Sequence, residues 1–371
     1  MDNYELAYKA ALKRHERKME KIITFIIPAY NMEKFLACCL DSFLCPEIMN
    51  QIEVITVNDG STDQTGEIAD QYARDYPDTF RVIHKSNGGH GSAINAGSRE
   101  AKGQYFKVVD SDDWVVTENL PQFIRALSKS NADVVLTAFD MIDMKTGRRV
   151  RRQINTKGEV GRFTMEEVVR NPSYFEPCAV FHGITYCTRF YQEQGYTLAE
   201  HVFYEDQEYS TLPFCNAETI EVYPICIYQY RIGNDSQSIS FSNQAKRIGH
   251  LETIIWRMSR IYYQENVDTE ASKEYLRYKL RSIVLIYYAT ALVYENDKKR
   301  GRELAGRMHQ KLTKHLPDIS NGTDKQYRMY YLMNKLQVRP ERYQQLVQSK
   351  LYFQLKQGMR MIGHIALKNN K

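Results

Sequence analysis

The sequence predicts an α/β fold: a mostly parallel central sheet with intervening helices, followed by a helical carboxyl-terminal region. Three observations carry this. Short apolar runs and helical stretches alternate four times within about 90 residues after residue 21, the pattern of consecutive strand–helix units. Each apolar run stops at a cluster of polar, glycine or proline residues. From about residue 245 the strand-like runs give way to helical spacing rich in Tyr, Arg and Lys.

Residues 1–20 are rich in Ala, Lys, Arg and Glu and read as a helix. Ile22 to Ile27 is a β-rich apolar run ending at Pro28, a buried strand. Phe35, Leu36, Cys39, Leu40 and Phe43 have helical spacing over 33–44. Ile52 to Val57 is a second strand, broken by Asn58-Asp59-Gly60-Ser61. A helix over Thr65 to Tyr76 leads to the strand Phe80 to His84, then to a glycine-rich turn from Asn87 to Gly91 and a helix near Ala93 to Ala101. Tyr105 to Val109 is the fourth strand, stopped by Asp110-Ser111-Asp112-Asp113. Beyond Leu120 come a helix, the strand Val134 to Phe139 and a polar stretch over 143–162. The aromatic, irregular segment 175–240 holds strand-like pieces at Gly183 to Thr188 and Glu221 to Tyr230. The expected organisation is therefore an amino-terminal helix (1–20), an α/β domain (21–244) and a basic helical domain (245–371).

The chain has 371 residues and is 43% hydrophobic, enough for a sizeable core. Its net charge of +5 conceals a split: +14 over 245–371 against −9 over 1–244. A basic module fits an anionic membrane surface, an anionic polymer or nucleic acid, or is a solvated helical face; no recognisable nucleic-acid-binding motif accompanies it. Leu351, Phe353, Leu355, Met359, Met361, Ile362, Ile365 and Leu367, interleaved with basic residues, read either as an interfacial helix on an anionic membrane or as a final packing helix. The seven cysteines form no C-x-x-C and are odd in number, which argues against a disulfide framework or zinc site and for a reducing compartment. Residues 1–20 lack the apolar core of a signal peptide, and the longest apolar run, Ile283 to Tyr294, is too short to span a bilayer. The expectation is a cytoplasmic protein, with peripheral contact at the inner face of the cell membrane as the membrane reading of its tail.

Ligands of open α/β sheets gather at the carboxyl ends of the strands. The unusual polar clusters all fall there. Asp110-Ser111-Asp112 offers two carboxylates that can share a hard divalent cation and its phosphate ligands, or can simply cap a turn. In Pro28-Ala29-Tyr30-Asn31, Pro28 fixes the backbone and Tyr30 can stack on a base, or be a half-buried turn residue. In Asn58-Asp59-Gly60-Ser61-Thr62-Asp63, Asp59 can accept from the imide N–H of uracil, or serve turn chemistry.

Taken in order, P-A-Y-N, V-N-D-G-S-T-D, N-G-G-x-G and V-V-D-S-D-D resemble the nucleotide-sugar-binding half of the family 2 inverting glycosyltransferases. The resemblance is strong over 21–118 and looser over 175–240. It implies a GT-A fold, Rossmann-like and nucleotide-sugar-binding, a nucleoside-diphosphate sugar donor, most simply a UDP-sugar, and Mn2+ or Mg2+. Pro28, Tyr30 and Asp59 match the nucleoside-binding positions and Asn87 the family's N-x-G asparagine. Asp110 and Asp112 match its D-x-D, flanking Ser111, with Asp112 the direct metal ligand. An inverting transfer needs a carboxylate base for the acceptor hydroxyl; the family's E-D element matches Glu205-Asp206, so Asp206 is the expected base and Glu205 the alternate. Tyr228-Gln229-Tyr230-Arg231 and Ser238 resemble a Y-x-Y-R…S segment, in which Arg231 clamps the diphosphate and Ser238 adds a hydrogen bond; the other reading is a surface arginine after an edge strand. The implied acceptor is a glycan, lipid-linked molecule or polymer of cell-surface polysaccharide synthesis.

One departure stands out. Relatives carry A-R-N-x-G where this chain has Ala93-Ile94-Asn95-Ala96-Gly97, so an expected cation is missing. Lys85, His90 and Arg99 are the candidates to replace it. His182 and His201, near the acceptor region, read as packed or surface residues, and Trp114 as a wall of the sugar pocket.

Three other classes compete. A dinucleotide-binding dehydrogenase needs G-x-G-x-x-G after the first strand, where this chain has P-A-Y-N. A nucleotidyltransferase would carry a basic glycine-rich loop there. A non-catalytic sugar- or polymer-binding module would not need Asp110, Asp112 and Asp206 together.

Overall fold

A computed structural model of the chain describes residues 21–233, 241–263, 267 and 269–348. The expected helix over 1–20, Ser238 and the tail helix from 350 lie outside the described residues. The described residues form two compact units. One comprises those up to 233 together with Trp256–Tyr278; the other comprises those of 241–255 and from Lys279 onward. The composition change near 245 thus falls in a stretch that the two units share out between them.

The first unit opens with β1 (Ile23–Ala29), α1 (Leu36–Asp41), β2 (Ile52–Asp59), α2 (Thr65–Asp75), β3 (Phe80–Lys85), α3 (His90–Glu100) and β4 (Tyr105–Val108). It continues with β5 (Trp114–Val115), α4 (Leu120–Leu127), β6 (Val134–Asp143), β7 (Arg149–Arg152), β8 (Gly161–Phe163), α5 (Met165–Arg170) and α6 (Pro172–Phe175), then β9 (Ile184–Cys187), α7 (Thr188–Glu193), α8 (Glu205–Tyr209) and β10 (Ile220–Ile232). Among the described residues these strands make one sheet in the order β3-β2-β1-β4-β9-β6-β10-β5, with β7 on β6 and β8 on β10. The β3-β2-β1-β4 half is parallel, as the strand–helix alternation predicts. Beyond it the sheet is mixed: β9 runs antiparallel to β4 and β6, while β10 is parallel to β6. The chain steps outward from β1 to β3 and returns to β4 on the other side of β1. This reversal opens a crevice beyond the carboxyl ends of β1 and β4, where ligands of such sheets bind.

β1 reads as a continuous apolar run because both of its faces are covered. All seven residues of β1 are buried, Phe25 and Ile27 in one core cluster and Ile26 in the other. Burying each such side chain contributes about 2 kcal/mol. Pro28 lies inside β1 rather than ending it. The Ile26 carbonyl accepts from Val109 N, so alternation turns the donor position of Pro28 to the β4 side, past the last β1–β4 register pair, Ile26–Val108. The missing N–H of proline therefore falls where the β1–β4 ladder ends.

The polar stretch over 143–162 is a further difference. β6 runs to Asp143, turns, and returns as β7, all four of whose residues are exposed. An edge strand without a buried face leaves no apolar alternation to read. In the second unit the apolar run from Ile283 is core: Ile283, Val284, Tyr287, Tyr288, Ala291 and Leu292 are buried. No helix among the described residues is long and apolar enough to cross a membrane.

Helix α3 approaches its neighbours through glycine. A Cβ on Gly91 would lie 2.3 Å from the Ala199 carbonyl oxygen and 3.1 Å from Glu205 Cγ. Gly91→Ala is therefore expected to force the 199–205 segment away and lower stability by about 2 kcal/mol. Urea unfolding checks this, and an unchanged midpoint would contradict the packing described.

Candidate active site

The loops after β1 and β2 are laced together. Asn31 N donates to Ser61 Oγ at 3.0 Å, Thr62 N to Asn31 Oδ1 at 2.9 Å, and Glu33 N to Asp63 Oδ2 at 3.1 Å. These bonds fix the backbone beside Tyr30, whose ring is 47% exposed and open to a stacking partner. Asp59, at the end of β2, is buried. Its carboxylate accepts from Gly89 N at 2.8 Å, Gly88 N at 3.0 Å and Lys85 Nζ at 2.6 Å, while Asn87 Nδ2 donates to its carbonyl at 3.0 Å. Asp59 thus holds the N-G-G turn in place with the oxygens that the sequence reading assigns to a base.

The acidic cluster follows β4. His90, first residue of α3, bridges two carboxylates: Nε2 is 2.9 Å from Asp110 Oδ1 and Nδ1 is 2.7 Å from Glu205 Oε1. Ionised carboxylates only accept, so both ring nitrogens donate and the ring is an imidazolium. Burial pulls the His90 pKa down, but the hydrogen bonds to Asp110 and Glu205 outweigh it and carry it well above the ordinary value. Asp113 is pinned differently. The Tyr228 hydroxyl donates to its Oδ2 at 2.6 Å and accepts from Asp110 N at 3.1 Å, and Arg231 N donates to its Oδ1 at 2.7 Å. Arg231 Nε reaches the Asp112 carbonyl at 2.6 Å, and its guanidinium lies between the rings of Phe35 and Trp114 at 5.1 and 4.9 Å.

This is a concentration of negative charge. Burial and the neighbouring Asp110 push Asp112 up to about 6. Burial, Asp110 and Asp112 push Asp113 well above the carboxylate range. Burial first, then the charges of Asp113, Asp110, Asp112 and Asp206, drive the Tyr230 phenol upward. His182 packs against Tyr230 with the rings tilted by 31° and their centroids 4.1 Å apart, and burial lowers it to about 4, so its imidazole is neutral at neutral pH. Ligand atoms of Asp110, Asp113 and His182 lie within 4.8 Å of one another. Two carboxylates and a neutral imidazole, inside an under-compensated acidic cluster, fit a hard divalent cation. Asp112, the direct ligand expected from the sequence, is not a member of that trio.

The other candidates fall as follows. Ser111 is buried beside the acidic pair. Glu205 is committed to His90, whereas Asp206 is half-buried on the first turn of α8 and accepts from Gln207 Nε2 at 3.0 Å. Ile94 is fully buried in the apolar cluster with Ile26 and Val57, so its side chain serves the core. Of the three cations named to replace the arginine, Lys85 ends β3 and His90 begins α3; Arg99 is in the last turn of α3, at the helix end remote from the cluster. Sequence reasoning missed the roles of His90, His182, Asp113 and Tyr228. A signal existed for His90, which sits four residues before Ile94 and so on the same helix face one turn earlier.

The His90 bridge has a pH signature. Its folded pKa is raised above 6.5 and that of Asp110 is held below 3.8. Its contribution to stability is therefore complete between those two values and is lost as pH rises through the folded His90 pKa. In metal-free protein, the stability difference between wild type and His90→Gln is expected to be largest near pH 5 to 6 and to shrink as the solution is made alkaline. A difference independent of pH in denaturant titrations would contradict the bridge.

Comparison with known proteins agrees with this architecture. Residues 24–191 match the family model for glycosyl transferase family 2. The chain is 29% identical to the glycosyltransferase EpsJ of Bacillus subtilis over 214 residues, 57% of this chain and 62% of that protein. It thus spans about three-fifths of that relative's length. It is 26% identical to the putative glycosyltransferase EpsH of the same organism over 292 residues, 76% of this chain and 79% of that one. The structure of S. aureus TarS residues 1–349 with UDP-GlcNAc superposes with a TM-score of 0.60 at 19% identity, covering 85% of this chain and 91% of that one. That likeness establishes the shared fold. Residues 24–191 thus match glycosyl transferase family 2, and the sheet they contribute to has the GT-A fold shared with TarS.

Proposed function

We propose that this chain transfers a sugar from a nucleoside-diphosphate donor, a UDP-sugar by preference, to an acceptor hydroxyl with inversion at the anomeric carbon. The observation that carries the reading is the cluster after β4 in which Asp110, Asp113 and His182 offer ligand atoms within 4.8 Å of one another. In this reading Tyr30 stacks on the base. Asp59 accepts the uracil imide N–H by exchanging Lys85 for it, while Pro28 and Asn87 keep the two loops in register. Ser111 and Arg231 hold the diphosphate. Asp110 and Asp113 with His182, and Asp112 beside them, would hold Mn2+ or Mg2+. The cation would neutralise charge on the departing diphosphate. Asp206 takes the acceptor proton as the oxygen attacks the anomeric carbon opposite the leaving group. Glu205, held by His90, orients the first turn of α8 rather than acting as base. The acceptor is a glycan, a lipid-linked molecule or a polymer.

A thermal-shift screen of nucleotide sugars with and without Mn2+ tests the class directly: one UDP-sugar should raise the melting temperature only with the metal, and a flat response to every donor would contradict the reading. Asp112→Ala should melt no lower than wild type, because it removes a like charge from the cluster, yet lose the metal-dependent shift and turnover. Retained turnover would exclude Asp112 from the metal–diphosphate site. Asp206→Asn should lower turnover by about 100-fold or more with donor affinity unchanged; a matching loss of donor affinity would argue for a binding role instead.

A further inference from the structure

The unit that is acidic as a whole carries one strongly basic strip. β6 ends at Asp143, the chain turns through Met144–Arg148, and β7 returns along β6. The turn is closed by Asp143 N to Arg148 O at 2.9 Å and Gly147 N to Asp143 O at 2.7 Å. Lys145, Arg148, Arg149, Arg151 and Arg152 are all exposed on this hairpin.

Two of these residues have an internal purpose. Arg151 pairs with the buried Asp140, and Arg149 lies 3.6 Å from the same carboxylate. Charge on an edge strand also discourages sheet-to-sheet association, and those two already provide it. Neither purpose accounts for Arg148 and Arg152, which have no carboxylate partner among the described residues.

The strip is registered to the candidate site. Arg149 is opposite Ile142 on β6, and Ile142 is opposite Arg231 on β10. Two rows back, on the same face, Arg151, Asp140, Gln229 and Trp114 lie side by side on β7, β6, β10 and β5. Neighbouring strands are about 4.8 Å apart, so the Arg149 backbone is roughly 10 Å from that of Arg231. Arginine predominates over lysine four to one in the strip, and the guanidinium fork matches phosphate oxygens two at a time. A membrane-docking tip would add apolar side chains; this hairpin exposes two large ones, Met144 in the turn and Val150 on β7, against five cations.

We infer that the β6–β7 hairpin is the docking strip for a phosphate-bearing acceptor polymer, which it leads toward Arg231 and Asp206. The inference rests on the glycosyl-transfer reading for the acceptor role, and donor binding is measured alongside so that the two can fail separately. The probe is a labelled long-chain polyphosphate, with equimolar phosphatidylglycerol–phosphatidylcholine vesicles as the membrane arm, both on the full chain at physiological salt. The variant Arg148→Glu/Arg152→Glu removes two cations without breaking an ion pair. Lys314→Glu/Lys325→Glu makes the same charge change on the basic second unit. The hairpin variant should bind polyphosphate on the order of tenfold more weakly, keep the metal-dependent donor shift, and melt as wild type does; the control should change binding less than twofold. Wild-type binding by the hairpin variant, an equal loss in the control, or hairpin-dependent binding of vesicles without binding of polyphosphate would each overturn the inference. Loss of the donor shift in wild type would instead remove the reading on which it rests.

Discussion

A single imidazole joins the two halves of the site. His90 begins α3, on the nucleotide-binding side, and its ring nitrogens hold Asp110 after β4 and Glu205 at the start of α8. For one ring to span both, the start of α3 must lie against the 198–205 segment. The sequence meets that demand with glycine: Gly91 passes under the Ala199 carbonyl, and Gly89, at φ +87°, lies against the His201 backbone. The Gly88 carbonyl accepts from His201 N at 2.7 Å, and Asp59 fixes Gly88 and Gly89 from the other side. A chain of contacts therefore runs from β2 through the N-G-G turn to α8. It sets the position of Asp206, the residue after the one His90 holds.

The second feature is charge out of balance. Three carboxylates in four residues lie at the end of one strand, and the protein's own donors compensate them only in part. Tyr228 and the Arg231 backbone serve Asp113, and His90 serves Asp110. Asp112 is left with a pKa pushed up to about 6 by burial and by Asp110. Beneath the cluster, Lys107 is fully buried, donating to the carbonyls of His182 and Ile184 at 2.7 and 3.0 Å, and burial lowers it to about 7. Such an arrangement is costly in the free protein. A divalent cation and a diphosphate would complete it, which is the sense in which the site is organised for a ligand.

Much of this was legible in the sequence, for physical reasons. Strands buried on both faces announce themselves as apolar runs, and the polar residues that stop them mark the carboxyl ends where a parallel sheet binds ligands. Asp110, Asp112, Tyr30 and Asp59 could therefore be placed together before any coordinates. Roles set by long-range pairing could not. Asp113 and Tyr228 are 115 residues apart, as are His90 and Glu205, and no local pattern joins them. The substitution at Ile94 pointed to a missing cation and to His90 among three replacements, but not to its bridge between Asp110 and Glu205. The charged β7 strand escaped notice because an exposed edge carries no apolar period. His182 was undervalued because its neutrality and its place beside Asp110 and Asp113 depend on burial against Tyr230.

In the proposed mechanism these strand ends form one donor site. A crystal structure of the full chain with UDP and Mn2+ tests that most directly. The base should stack on Tyr30 near Asp59, with the metal and diphosphate against the cluster formed by Asp110, Asp112, Asp113 and His182. A nucleotide bound away from the β1–β4 crevice, or a metal touching none of those four side chains, would contradict it.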